Sequence, residues 1–130
     1  MMKTRFSRFG NKKVKTEDGL TFDSKKEYSR YLELKAMEDA GLIWNLRRQV
    51  KFLLLPAVYE TQKVQLKTKV KEKDVCLYRE THYVADFVYL QDGEEVVEDV
   101  KASAEFQDPV YKLKKKLMYM MNNVKIKEVY

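Results

Sequence analysis

Two carboxylates and a lysine, on segments joined by a tight turn, are the residues of this chain best suited to chemistry. Asp86 sits in the apolar run Tyr83-Val84-Ala85-Asp86-Phe87, and Asp99 and Lys101 lie in Glu98-Asp99-Val100-Lys101. Asp92-Gly93 between them is a strong hairpin signal, since both residue types accept the positive φ of a two-residue turn. Counted outward from that turn, Asp86 is about as far along one strand as Asp99 and Lys101 are along the other. Residues i and i+2 of a strand share a face, so Asp99 and Lys101 point the same way and Val96 and Val100 can pack in the core opposite. An acid between Ala85 and Phe87 costs free energy to bury unless it is paired or liganded.

Two carboxylates held a few ångströms apart repel unless a hard divalent cation such as Mg²⁺ neutralises them. Such a cation polarises a phosphodiester and acidifies a bound water. A lysine beside it stabilises charge building on the phosphate. The set therefore suits phosphodiester hydrolysis. An Asp-x-Lys tripeptide is common by chance; the hairpin placement and the lone acid in an apolar strand carry the reading.

The charge balance points to an anionic partner. The chain has 130 residues, with 26 Lys and Arg against 20 Asp and Glu, for a formal charge of +6. Six cations from Lys3 to Lys15 precede the first acid, Glu17; Lys63, Lys67, Lys69, Lys71 and Lys73 cluster mid-chain; Lys112, Lys114, Lys115 and Lys116 form a third group. Each cluster is equally well explained as solvated surface, but together they make a polyanion such as DNA plausible. Lys112 and Lys116, one helical turn apart, are candidates to hold phosphate, with a solvated face as the rival reading. Gln49 is a candidate phosphate contact, or merely part of a strand's polar face.

Other classes are disfavoured. His82 is the only histidine and Cys76 the only cysteine, which argues against structural zinc and an intrachain disulfide. A lone cysteine suits a reducing compartment, so a cytoplasmic location is expected, in a bacterial host if the chain is phage-encoded. No apolar run approaches a membrane span; the longest, Phe52 to Leu55, stops at Pro56. The basic start lacks the apolar stretch of a secretory signal.

The elements that must position these groups follow from local signals. Residues 1–18 read as a flexible basic arm and 19–130 as one domain. Ser24 followed by Glu27 is a capping-box pattern that opens a first helix, with Gly41 at its left-handed end. Leu46 to Leu55 reads as a strand, Lys63 to Val70 as another, with a turn near Glu72-Lys73-Asp74 and strand character from Val75 through Tyr89. Glu94 to Lys101 is the return strand. Asp108-Pro109 opens a second helix with an apolar stripe at Val110, Leu113, Leu117 and Met120/Met121, and Val124 to Val129 is a last strand. The result is an α/β sandwich on a mixed central sheet.

Asp86 followed by Asp99-Val100-Lys101 resembles the signature of the PD-(D/E)XK nuclease superfamily. The helix pattern Phe22-Asp23-Ser24-Lys25-Lys26-Glu27-Tyr28, the strand Arg48-Gln49-Val50-Lys51-Phe52 and the Tyr- and Lys-rich second helix resemble a family of small phage endonucleases. These are similar in site layout to Holliday-junction resolvases of the phage endonuclease I type. The resemblance covers roughly Leu20 to Tyr130; Ala85 stands where the signature has proline. It implies a restriction-endonuclease-like core in αβββαβ order. It implies Asp86 and Asp99 as ligands of Mg²⁺ or Mn²⁺, the Val100 carbonyl as a further ligand, Lys101 as the catalytic lysine and Glu27 as the completing acid. The expected activity is endonucleolytic cleavage of DNA, with branched junctions in phage recombination or replication as the favoured substrate and a homodimer as the form suited to paired cuts. The alternative is a non-catalytic DNA- or RNA-binding protein that keeps the fold.

Overall fold

The computed structural model describes residues 13–103, 105 and 107–130. In chain order its elements are β1 (Val14–Lys15), β2 (Thr21–Phe22), α1 (Lys25–Asp39), β3 (Trp44–Leu55), β4 (Val58–Gln65), β5 (Val70–Tyr78), β6 (Thr81–Gln91), β7 (Glu94–Val100), α2 (Pro109–Asn122) and β8 (Lys127–Val129). The central sheet has the order β3-β6-β7-β8, antiparallel except for the parallel pair β7-β8. With the small β1-β2 and β4-β5 sheets set aside, the order is α1, β3, β6, β7, α2, β8. This is the expected α/β arrangement, a mixed sheet with two helices.

Local chemistry explains the boundaries. Ser24 Oγ accepts from the Glu27 N–H at 3.1 Å to start α1, and Gly41 after it has φ +76°. Asp108 accepts from the Val110 N–H at 2.7 Å, with Pro109 as the first helical residue of α2. Asp92 and Gly93 have φ of +51° and +79°, and Gln91 pairs with Glu94 across them, so the predicted two-residue hairpin forms.

The sheet is covered on both faces. On the α1 side lie Leu34, Ile43, Phe87 and Tyr89, with Leu46, Val96 and Val100 packed against them. On the α2 side lie Leu54, Tyr83, Ala85, Val88, Val97, Tyr111, Met118 and Ile126, joined by Val50 and Phe52. Val96 and Val100 thus pack against the core, as expected, though each is only partly buried.

These memberships expose a break in strand alternation. Tyr83 and Ala85 pack on the α2 side but Phe87 and Tyr89 on the α1 side, although all four are odd-numbered. In β3, Leu46 packs on the α1 side and Arg48 lies over the Phe22 and Tyr31 rings, while Val50, Phe52 and Leu54 pack on the α2 side. A regular strand keeps such residues on one face. Both strands therefore turn over between the neighbouring pairs Arg48↔Phe87 and Val50↔Ala85. Gln49 and Asp86 lie between those pairs, and Gln49 has φ +51°, a conformation uncommon for a residue with a side chain.

Several expectations are corrected. Residues 1–12 of the expected arm lie outside the described residues; in its remainder Val14–Lys15 pairs with Thr21–Phe22. The turn expected near Glu72-Lys73-Asp74 is at residues 66–69, closed by the Leu66 N–H to the Lys69 carbonyl at 2.8 Å. That turn has no Gly, Pro or Asn to mark it, and both faces of the hairpin are exposed, so no buried face fixed the register. The strand expected from Val75 through Tyr89 breaks between Tyr78 and Thr81, and its halves join different sheets. On α2, Val110, Leu113, Met120 and Met121 are exposed, while Tyr111 and Met118 are buried. Apolar residues occupy two neighbouring stripes of that helix; Leu117 of the expected one packs against the core, but Tyr111 and Met118 of the other lie inside it, with the Tyr111 hydroxyl donating to Glu128 at 2.8 Å. The last strand is shorter than expected, Lys127–Val129.

Candidate active site

The site forms where β6 and β7 part. Their pairing runs from the hairpin to Phe87↔Glu98, and one step further Asp86 and Asp99 would face each other. There the Asp86 carboxylate replaces the ladder, its Oδ2 accepting from the Val100 N–H at 2.8 Å. A strand pair that opens at an acid leaves that acid between two backbones.

Four elements converge on this opening. Gln49, from β3, donates through Nε2 to Glu27 Oε1 at 3.1 Å and to Asp86 Oδ1 at 3.5 Å. Glu27, from the first turn of α1, is only 3 % exposed; its other oxygen accepts from the Asp23 N–H at 3.3 Å. Glu27 thus faces two ways. One oxygen reaches back to the Asp23 N–H, one residue before the Ser24 cap, and the other accepts from the Gln49 amide beside Asp86. Arg48 lies 3.9 Å from it. From β7, Asp99 accepts a short hydrogen bond from the buried Tyr83 hydroxyl and pairs with Lys101 Nζ at 2.9 Å. Lys101 Nζ in turn stands 3.3 Å from the centre of the Tyr111 ring of α2, an attractive cation–π geometry.

The electrostatics single out Asp86. Burial, then the Asp99 charge, push its carboxyl up to about 7; Glu27 adds to this, and the Val100 N–H and Lys101 oppose it. Among the described residues it takes part in no ion pair, so the salt bridge that was its structural alternative does not form. Burial, then Asp23, hold the Glu27 carboxyl above its ordinary value. Burial and the neighbouring Asp99 likewise push the Tyr83 hydroxyl up, so it remains a donor. The cluster concentrates negative potential that its own lysine offsets only in part.

Glu27, Gln49, Asp86, Asp99 and Lys101 are therefore brought together, and Val100 joins them through its N–H. Among the described residues no three His, Cys, Asp or Glu side chains form a ready-made metal cage. Mg²⁺ rarely uses one; it is held by one or two carboxylates, waters and substrate phosphate. The all-oxygen donor set, with Asp86 in no ion pair among the described residues, fits such an ion. Lys112 and Lys116 line, with Lys115, Lys125, Tyr119 and Glu128, a cavity of about 510 Å³ that Glu27, Asp86 and Asp99 do not line. His82 faces Glu80 at 3.4 Å, and Cys76 is exposed.

Three contributors escaped the sequence reading. Tyr83 and Tyr111 support Asp99 and Lys101, and the available signal was that a buried tyrosine hydroxyl needs a partner. The third is structural. Arg30 grips the fully buried Glu98 through Nε at 2.8 Å and Nη2 at 2.7 Å, with the Tyr89 hydroxyl also donating to Glu98. Glu98 thus points away from Asp99 and ties β7 to α1.

Among the described residues no helix is long and apolar enough to cross a membrane. Neither a curated protein nor a solved structure matches the chain. A family model described as "Protein of unknown function (DUF1064)" matches residues 6–130. With nearly the whole sequence inside that match, the chain belongs to the DUF1064 family.

Proposed function

We propose that this protein is a metal-dependent DNA endonuclease of the PD-(D/E)XK kind, on a restriction-endonuclease-like core. The observation that carries the reading is Asp86: a carboxyl pushed up to about 7, free of ion pairs among the described residues, beside Asp99 and Glu27 at the open end of a hairpin. A purely structural acid would be expected to face a cation, and this one faces two more acids.

In this reading Asp86 and Asp99 hold Mg²⁺ or Mn²⁺, with Glu27 and the Val100 carbonyl completing the set. When bound, the ion polarises the phosphodiester and lowers the pKa of a coordinated water. The chain's own groups do the positioning. Lys101, braced by the Tyr111 ring and Asp99, presents its ammonium where negative charge grows on the phosphate. Tyr83 fixes the rotamer of Asp99. Gln49 spans Glu27 and Asp86, keeping the two carboxylates apart with one amide. Lys112 and Lys116 supply phosphate contacts outside the acid cluster. Branched junctions are the favoured substrate, and a homodimer would allow paired incisions.

The test is cleavage of linear, nicked and four-way-junction DNA with and without Mg²⁺, by wild type and Asp99→Asn. Mg²⁺-dependent cutting that disappears in the variant supports the reading; no cutting of any substrate by wild type sinks it. The second reading, a non-catalytic DNA- or RNA-binding protein, is favoured by one observation: Lys101 is already held by Asp99 and Tyr111. It expects binding without cleavage, unchanged by Asp99→Asn.

A further inference from the structure

The β4-β5 hairpin is a two-stranded ribbon outside the central sheet, and among the described residues it makes at most slight contact with any other element. Every residue of β4 is exposed, and every residue of β5 except Val75. A ribbon bare on both faces is marginal by itself, so a partner that covers it would complete it. Eight residues of β4 give a reach of roughly 25 Å at the usual rise per residue.

Its charge is sorted by face. Directly opposed residues of an antiparallel pair share a face and alternate along each strand. Lys71 opposes Val64 and Lys73 opposes Gln62, on one face. Glu72 opposes Lys63 and Asp74 opposes Thr61, on the other, where the Thr61 hydroxyl donates to Asp74 at 2.9 Å. Lys67 and Lys69 sit at the tip. From Gln62 to the tip the first face therefore carries cations and no acid, and none of these four lysines is ion-paired among the described residues.

We propose that this ribbon is a DNA-gripping arm that lays its Lys71/Lys73 face and its Lys67/Lys69 tip against the phosphates lining the major groove of duplex DNA. The major groove of B-form DNA admits a two-stranded ribbon, whereas that of duplex RNA is too deep and narrow. A contact between protein copies wants a centre depleted of charge, which the distal ribbon lacks. The inference rests on the DNA reading of the protein, not on cleavage.

The test compares wild type with the quartet Lys67, Lys69, Lys71 and Lys73→Gln, and with Glu72→Gln/Asp74→Asn on the opposite face. Affinity for a labelled linear DNA duplex, and for an RNA duplex of the same sequence, is measured across a salt series in EDTA. Wild type is expected to prefer DNA. The quartet is expected to bind DNA at least about tenfold more weakly, its salt slope falling by about 0.9 for each phosphate it no longer neutralises. The opposite-face pair is expected to bind like wild type or slightly better. Equal affinity and slope for the quartet overturns the arm, as does an RNA preference, or a quartet that falls from dimer to monomer by sedimentation. Cleavage is scored separately: a quartet that binds like wild type while wild type cuts DNA leaves the nuclease standing without the arm. Loss of binding in the quartet with no cutting by wild type does the reverse, and no duplex binding by wild type removes both.

Discussion

Replacing Asp86 with Asn is expected to stabilise the metal-free protein at neutral and alkaline pH and to leave it unchanged in acid. The folded-state carboxyl is pushed up to about 7 from an ordinary 3.8 by burial and by Asp99. Below the ordinary value the group is protonated whether folded or not and contributes nothing to the difference. Between the two values the folded state binds the extra proton, so stability falls as pH rises; above about 7 the full cost of a buried charge is present. At about 1.4 kcal/mol per tenfold, that cost approaches ~4 kcal/mol, and partial solvent access to the side chain brings the expectation to ~2–4 kcal/mol. The asparagine keeps an oxygen for the Val100 N–H and removes only the charge. Urea unfolding of both proteins in EDTA, from pH 4 to 8, measures it: the gap in unfolding free energy opens with pH, the variant being the more stable. A gap that is flat across pH, or a variant less stable throughout, refutes the electrostatic account. Repeating the pH 8 measurement in Mg²⁺ separates charge from metal. Wild type gains about 2.7 kcal/mol at a hundredfold excess over Kd while the variant gains little; no gain for wild type sinks the metal site and leaves the buried charge intact.

Other expectations follow from single contacts. Lys101→Met should lower the rate of DNA cleavage by about a hundredfold or more with little change in duplex affinity, since the ammonium acts on developing charge; an unchanged single-turnover rate contradicts it. Gln49→Gly should relieve the left-handed strain at φ +51° by about 1 kcal/mol. It also leaves Glu27 and Asp86 without their shared amide, so thermal stability is held or raised while cleavage falls; a fall in both says that Gln49 serves only the fold. Arg30→Ala leaves the buried Glu98 with only the Tyr89 hydroxyl and Lys127 at 3.9 Å, and should cost about 3 kcal/mol by urea unfolding. Arg30→Leu with Glu98→Leu should recover much of that, and a double variant as unstable as the single one would deny the ion pair its structural role.

The sequence carried the fold wherever one local rule governed a residue. Ser24, Asp108-Pro109 and Asp92-Gly93 each made the cap or turn that their side chains favour, and the two helices and four central strands hang on those points. It failed where two rules competed. α2 offers two adjacent apolar stripes, and only the distant residues that Tyr111 and Met118 pack against distinguish them. The β4-β5 ribbon has no buried face, so nothing in its pattern located the turn at residues 66–69. At the candidate site the acid, acid and lysine were legible from the hairpin, whereas the brace from Tyr83 and Tyr111 was not, because it depends on which face each strand presents after the turnover.

That turnover is the feature on which the site depends. Had β6 kept its alternation, Phe87 and Tyr89 would lie on the same side as Tyr83 and Ala85, and the α1 side would lose the two largest rings of its core. By turning over between Ala85 and Phe87, the strand serves one core at each end and leaves Asp86 committed to neither. The acid then fills the gap in the ladder at the Val100 N–H instead of joining either apolar layer. Its partner strand must turn at the same step, and the residue that does so is Gln49, with a backbone φ that a glycine would tolerate more easily. A glycine there would spare the strain but would carry no amide to span Glu27 and Asp86. Strain retained at a position where the chain could avoid it argues that the side chain is needed, and among the described residues its amide bonds to two of the three acids of the candidate site, Glu27 and Asp86.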